Sequence, residues 1–163
     1  MTISETLLPE FDREMANTLK ILDCVPEEKF TWKPHEKSMT LGRLASHVAE
    51  MPQWAMVTVT QDTLELTPEF KPFNAAGKSE LIATFNANVA GGREALAGAG
   101  DDHLAKVWSL IYAGKPVLSM PRAAVLRTMV MSHMIHHRAQ LSVYLRLLDV
   151  PIPGMYGPSA DNL

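Results

Sequence analysis

The stretch Met131-Ser-His-Met-Ile-His-His-Arg-Ala-Gln-Leu-Ser-Val-Tyr-Leu-Arg146 holds three of the chain's six histidines and decides how the rest is read. Wound as an α-helix, it sets His133 and His137 one turn apart and about 40° apart around the axis, so both imidazoles leave on one side. The apolar stripe of this helix runs Leu126, Val130, His133, His137, Leu141, Tyr144, Leu148. The two histidines therefore take core-facing positions that a helix ordinarily fills with leucine. Imidazoles withdrawn from water need partners. A single core histidine finds one in a side chain or a buried water, whereas two on one stripe suit a shared metal ion. His136, three residues after His133, offers a second pairing. It lies toward the other edge of the stripe, so His137 is the expected ligand and His136 a rim or interface residue.

Pro121 suits the first turn of this last helix, whose pattern runs on to Leu148. Before it, Val107 to Tyr112, the turn-forming Ala113-Gly114-Lys115 and Pro116 to Ser119 predict an irregular hairpin, with Pro116 opposing a regular ladder. Ser79 is placed to cap a third helix with the stripe Ile82, Phe85, Val89, Gly92, Leu96. Gly91 and Gly92 within it mark a close helix approach or a bend. A second helix is expected from Thr40, with Leu41, Leu44, Val48, Met51 and Ala55 inward and His47 beside that stripe. Pro52 predicts a kink or break just past the histidine. Between these helices, residues Gln61 to Gly77 form a long connection with a short extended piece at Leu64 to Thr67. Leu8, Phe11, Met15, Leu19 and Leu22 give a first helix over Ser4 to Leu22, followed by a loop that Phe30 and Trp32 pin to the bundle. The proline- and glycine-rich tail from Val150 to Asp161 can only run as an extended strap, anchored by Ile152, Met155 and Tyr156.

At 163 residues and 47% apolar composition, the chain fits one domain spanning 1–163 with a full core. A net charge of -3, with Lys and Arg scattered, argues against nucleic-acid binding. The lone Cys24 allows no intrachain disulfide, no apolar run approaches ~18 residues, and the acidic N-terminus is unlike a signal peptide. The expectation is a cytoplasmic protein without membrane association. Trp54, Met56, Met129, Met131 and Met134 exceed what one core readily absorbs, which predicts a homodimer.

Three segments together resemble the DinB-like (damage-inducible B) family. They are Leu41-Gly-Arg-Leu-Ala-Ser-His47-Val-Ala-Glu50, then His133-Met-Ile-His136-His137-Arg138-Ala-Gln140-Leu141, then Tyr156-Gly-Pro-Ser-Ala-Asp161. The resemblance implies an all-α four-helix bundle with long crossing connections. It also implies a divalent metal held by His47, His133 and His137. Members of this family are related to thiol-dependent transferases that use bacillithiol or mycothiol, and others have been proposed as metal-dependent hydrolases.

Three protein ligands leave a position for a small-molecule substrate, and nitrogen donors favour zinc or nickel. Such a site permits two chemistries, activation of a water or presentation of a low-molecular-weight thiol. No carboxylate follows His133 as in H-E-x-x-H, so a thiol-dependent S-transferase ranks above a hydrolase, and a non-catalytic metal-binding or structural bundle is the third reading. Glu50 and Gln140, each one turn beyond a histidine, are the candidates to orient water or ligand; their plainer role is as polar rim residues.

Overall fold

The computed structural model describes residues 1–162. Its first helix, α1 (Ile3–Asp23), begins at a reciprocal cap: the Thr2 hydroxyl accepts from the Glu5 N–H at 3.1 Å, and the Glu5 carboxylate accepts from the Thr2 N–H at 2.7 Å. Two otherwise unpaired donors are thereby satisfied. The connection that follows is pinned by its aromatic residues. Trp32 meets Tyr144 edge-on with ring centroids 5.7 Å apart, and Phe30 lies so close to Gly42 that a Cβ there would meet it at 3.0 Å. The Trp32 and Phe30 carbonyls accept from the Leu41 and Gly42 N–H groups, and the Thr40 hydroxyl accepts from Arg43. These contacts fix the start of α2 (Leu41–Glu50), which buries Leu41, Leu44 and Val48 and leaves His47 half-buried at its edge.

Pro52 ends α2 as its missing N–H requires, and the chain resumes as α3 (Gln53–Thr60). The corner is crossed by α4 (Lys78–Gly98) at Gly92, where a Cβ would sit 2.7 Å from the Pro52 carbonyl oxygen, so the close approach predicted from the glycines is present. The expected cap Ser79 instead lies inside α4. The helix starts after Gly77, and Glu27 of the first connection accepts the Lys78 N–H at 2.7 Å. A carboxylate from a distant segment replaces the local cap, and no local pattern announces it.

The all-α expectation needs correction. After the short α5 (Asp101–Leu104), β2 (Val107–Tyr112) and β3 (Lys115–Pro121) form an antiparallel hairpin, and β1 (Thr63–Leu66) adds to β2 in parallel, giving a three-stranded sheet ordered β1-β2-β3. Ala113 (φ 48°) and Gly114 (φ 76°) make the hairpin turn, both left-handed as a tight two-residue loop demands. Opposite Ile111, Pro116 offers no N–H; the register slips there and Val117 is left over as a bulge. The sheet packs through fully buried Trp108 onto Val57 of α3 and Val125 of the last helix. Arg122, 1% exposed, donates to the Lys106, Val107 and Gln61 carbonyls and to the Asp62 carboxylate, tying the strand starts to that helix.

The last helix runs unbroken in three parts: α6 (Arg122–Val125), a π-helical stretch Leu126–Ser132, and α7 (His133–Leu147). Within it the Thr128 hydroxyl donates to the Ala124 carbonyl at 2.7 Å, a local competition that loosens an α-helical ladder. The wider winding rotates the face that follows. Met134, Arg138, Leu141 and Leu145 turn to the core with His137, while His133, Tyr144 and Leu148 are half-buried. Met131 and Met134 are also fully packed, and Trp54 and Met129 flank the sheet cluster. Met56 is half-buried with its sulfur beside Gly91 of α4, so these residues do not form the surplus apolar face on which a homodimer was expected.

Arg138, 3% exposed, is a buried charge that periodicity assigned no role. It pairs with the Glu14 carboxylate at 2.7 Å and donates to the Glu14 carbonyl, the Thr18 hydroxyl and the Tyr156 hydroxyl. Tyr156 in turn donates to Glu14 at 2.7 Å, and Asp161 pairs with Arg146, so the tail is strapped across α1 and α7. Among the described residues no helix is long and apolar enough to cross a membrane.

Candidate metal centre

The break at Pro52 and the π-helical stretch bring one edge of α2 against one edge of α7. His47, His133 and His137 meet there, each half-buried to buried, with one potential ligand nitrogen apiece all within 4.8 Å of one another. Their ring centroids lie 4.6 to 5.4 Å apart. His136 stands outside, exposed, with its ring 5.0 Å from that of His137. The other two histidines are elsewhere: a ring nitrogen of His103 contacts the Val59 carbonyl at 2.7 Å, and His35 lies in the exposed first connection, next to the Lys37 N–H.

The partners of each ring decide which nitrogen is left over. His47 Nδ1 lies 2.7 Å from Glu50 Oε1, and a carboxylate can only accept, so Nδ1 carries a proton and Nε2 is the nitrogen left for a ligand. His137 Nδ1 likewise donates to the amide oxygen of Gln140 at 2.7 Å. His133 is positioned by the unusual winding before it. Its N–H reaches back to the Thr128 and Val130 carbonyls, and the Met129 backbone engages the His133 ring. A π-helical turn beside a functional cluster is a recurrent association.

The consequence is a contact of 2.8 Å between His133 Nε2 and His137 Nε2. His137 Nδ1 is committed outward to Gln140, so its Nε2 turns a lone pair toward His133; an N–H from His133 or a shared cation satisfies that contact, and the third imidazole beside it, His47, suits the cation. Nitrogen ligands about 2.0–2.1 Å from a tetrahedral zinc sit roughly 3.3 Å apart, within the range that these atoms span. The residues present fit a metal ion. Partners on the distal nitrogens are also the usual device for fixing the tautomer and basicity of metal-binding histidines.

Electrostatics favours the neutral forms of His137 and His133. Burial, reinforced by the neighbouring His47, His133 and His136 against the opposing Gln140 hydrogen bond, pushes His137 down to about 4. Burial, with His47 beside it, lowers His133 as well. Glu50 is displaced the other way from what burial alone would do: hydrogen bonds from His47 and Arg43 outweigh desolvation and hold it ionised below the usual carboxylate value. Its Oε1 accepts from Arg43 at 3.0 Å as well as from His47, and its Oε2 accepts from the Phe73 N–H at 3.1 Å. Arg43 also donates to the Phe73 carbonyl at 3.1 Å, so the connection between β1 and α4 is clasped to α2 by both backbone groups of one residue. Glu50 and Gln140, expected near water or ligand, are placed against the imidazoles.

Beside the cluster opens a cleft of about 370 Å³ whose polar end carries His47 and His133 and whose opposite wall is Trp54, Val57, Leu64, Leu66 and Phe70. The sequence singled out His47, His133 and His137 but none of these wall residues or the Arg43 clasp. Alternation in Leu64-Glu65-Leu66 was the one local signal available for the wall.

A helix-rich bundle carrying one small sheet and a three-histidine cluster compatible with metal binding is the class that fold and site define. More particularly, the profile of the DinB family matches residues 1–163, and the chain belongs to that family. It is 24% identical over 162 residues to the "Uncharacterized protein YrdA" of Bacillus subtilis (strain 168), covering 95% of this chain and 89% of that one. It is similar to the crystal structure of a DinB-like protein from Bacillus cereus ATCC 10987, with 26% identity, a TM-score of 0.73, and 93% of this chain and 97% of that one covered. The DinB-like protein YjoA of Bacillus subtilis shares the fold at 18% identity and a TM-score of 0.69, with 96% and 97% covered.

Proposed function

We propose that the protein is a divalent-metal-dependent enzyme of thiol-dependent S-transferase type, with zinc or nickel held by His47, His133 and His137. The convergence of three imidazoles, with one potential ligand nitrogen apiece within 4.8 Å of one another and His47 and His137 held at Nδ1 by Glu50 and Gln140, carries the reading. When bound, the ion supplies Lewis acidity that favours the ionised form of a thiol. The chain's own residues do the rest. Glu50 and Gln140 hold the imidazoles in the ligating tautomer, Arg43 balances the Glu50 charge, and the apolar wall keeps water from the acceptor.

Hydrolysis is the second reading. It asks for a free carboxylate within reach of the nucleophilic water, and both Glu50 oxygens are already engaged by His47, Arg43 and Phe73. That favours transfer. We place the reaction in the cytoplasm, where low-molecular-weight thiols are kept reduced, and retain the homodimer as a proposal that light scattering of the purified chain decides. The functional test has two stages. Untagged protein should contain one zinc or nickel per chain, lost in His47→Ala, His133→Ala and His137→Ala but kept in His35→Ala, His103→Ala and His136→Ala. Bacillithiol, mycothiol, glutathione and a simple thiol are then each supplied with an electrophile. Metal-dependent ester or amide hydrolysis without a thiol would reverse the ranking, and metal binding with neither activity would leave a non-catalytic metal protein.

A further inference from the structure

We propose that the cleft beside the three histidines binds an uncharged, apolar small molecule, its reactive end at His47 and His133 and its body against the wall of Trp54, Val57, Leu64, Leu66 and Phe70. The proposal deepens the enzymatic reading by naming the substrate class, and rests on it for the reactive end. At about 370 Å³ the cleft lies at the small end of the range of ligand pockets, roughly 300–1,000 Å³.

Charge decides the class. The lining holds one cation and one anion, Arg43 and Glu50, and they pair with each other at 3.0 Å. The remaining bonds of that pair go to the Phe73 backbone and to His47. Away from the metal position, Arg43 is the cationic side chain of the lining and its charge is balanced by Glu50, so a carboxylate, sulfonate or phosphate set against the apolar wall would lose water without a free counter-charge. A cationic ligand meets the same obstacle, because the Glu50 charge is already balanced by Arg43.

The wall is composite. Trp54 and Val57 come from α3, Leu64 and Leu66 from β1, and Phe70 from the connection after it. Along β1 the leucines are half-buried while Thr63 and Glu65 are exposed, so strand alternation aims both leucines at one side. Phe70 stays 55% exposed at the rim, an aromatic ring that a bound apolar body would cover. The Arg43–Glu50 clasp on Phe73 holds this segment to the histidine-bearing helix, so the histidine cluster and the substrate wall are one hydrogen-bonded unit.

The test uses the full chain and two fluorescent probes of nearly the same skeleton, neutral N-phenylnaphthylamine and the sulfonated anilinonaphthalenesulfonate. Each is titrated into zinc-loaded and chelator-stripped protein, with metal content measured on the same samples. One neutral probe should bind per chain, and the sulfonate should bind at least roughly tenfold more weakly. Leu66→Asp and Phe70→Asp should each weaken the neutral probe by roughly tenfold with an unchanged melting temperature, whereas Leu66→Met should retain it. Two variants are used so that a folding defect in one leaves the other decisive. Glu50→Gln, which releases Arg43 from its counter-charge, should narrow the gap between the probes. Equal or tighter binding of the sulfonate to wild type, or neutral-probe affinity unchanged in both aspartate variants, overturns the proposal. Protein that binds no metal yet shows the expected probe pattern supports the cleft assignment and refutes the metal centre instead.

Discussion

Glu50→Ala is the most informative single perturbation, because one carboxylate supports both the histidine cluster and the wall of the cleft. In wild type it accepts from His47 Nδ1 at 2.7 Å, from Arg43 at 3.0 Å and from the Phe73 N–H at 3.1 Å. Removing it frees the His47 ring to rotate and to change tautomer, and outer partners of metal-ligating histidines are worth about 10–100-fold in metal affinity. At about 1.4 kcal/mol per decade, that is roughly 1.4–2.8 kcal/mol. The change also strands a half-buried guanidinium, so the metal-free fold should lose on the order of 1–3 kcal/mol. Glu50→Gln separates the two effects. Its amide oxygen still accepts from Nδ1, so metal affinity should fall by less than in the alanine variant, while the ion pair with Arg43 is lost in both. The assay is competition for zinc against a chromophoric chelator, with thermal denaturation of the chelator-treated proteins alongside. An alanine variant that binds zinc as tightly as wild type would refute the role assigned to Glu50 and weaken the case for His47 as a ligand.

Acid should destabilise the metal-free protein over a defined window. Buried His137 titrates at about 4 and His133 is also lowered, whereas in the unfolded chain both take protons near pH 6.5, so stability should be complete above about 6.5 and drain away toward 4. Melting temperature against pH checks this, and His137→Gln should flatten the slope. Gly92→Ala puts a Cβ 2.7 Å from the Pro52 carbonyl oxygen, an overpacking that should cost about 1–3 kcal/mol in denaturant titration; an unchanged midpoint would show that the α3–α4 corner yields. Arg138→Met leaves Glu14, 5% exposed, without its counter-charge, and a broken buried pair typically costs about 3–5 kcal/mol. Tyr156→Phe, which removes only the hydroxyl of the same network, should cost about 1 kcal/mol.

Much of the bundle was legible because its signals are local. Spacings of three and four marked the helices, Thr40 and Pro52 bounded the histidine-bearing one, and Gly92 announced a close crossing that the Pro52 carbonyl explains. The cap of α4 was illegible for the opposite reason, since Glu27 reaches it from 51 residues away. The sheet was half legible: extended pieces and the Ala113–Gly114 turn could be read, but their union could not, because parallel pairing of Thr63 with Ser109 leaves no mark in either segment.

At the site, the sequence by itself determined the candidates: three histidines at spacings that two helices can bring together, and two polar residues a turn beyond. Only the tertiary structure decided how they are used. The π-helical stretch rotates α7 so that Met134, Arg138 and Leu145 join the expected His137 and Leu141 on the core face and His133 swings to the edge that meets His47. A uniform α-helical period cannot register that rotation, since it is produced by a change in the winding itself. The tautomers, the ionised Glu50, the Phe73 clasp and the apolar wall follow from contacts between segments far apart in the chain, whose energies depend on burial and geometry that no single segment possesses.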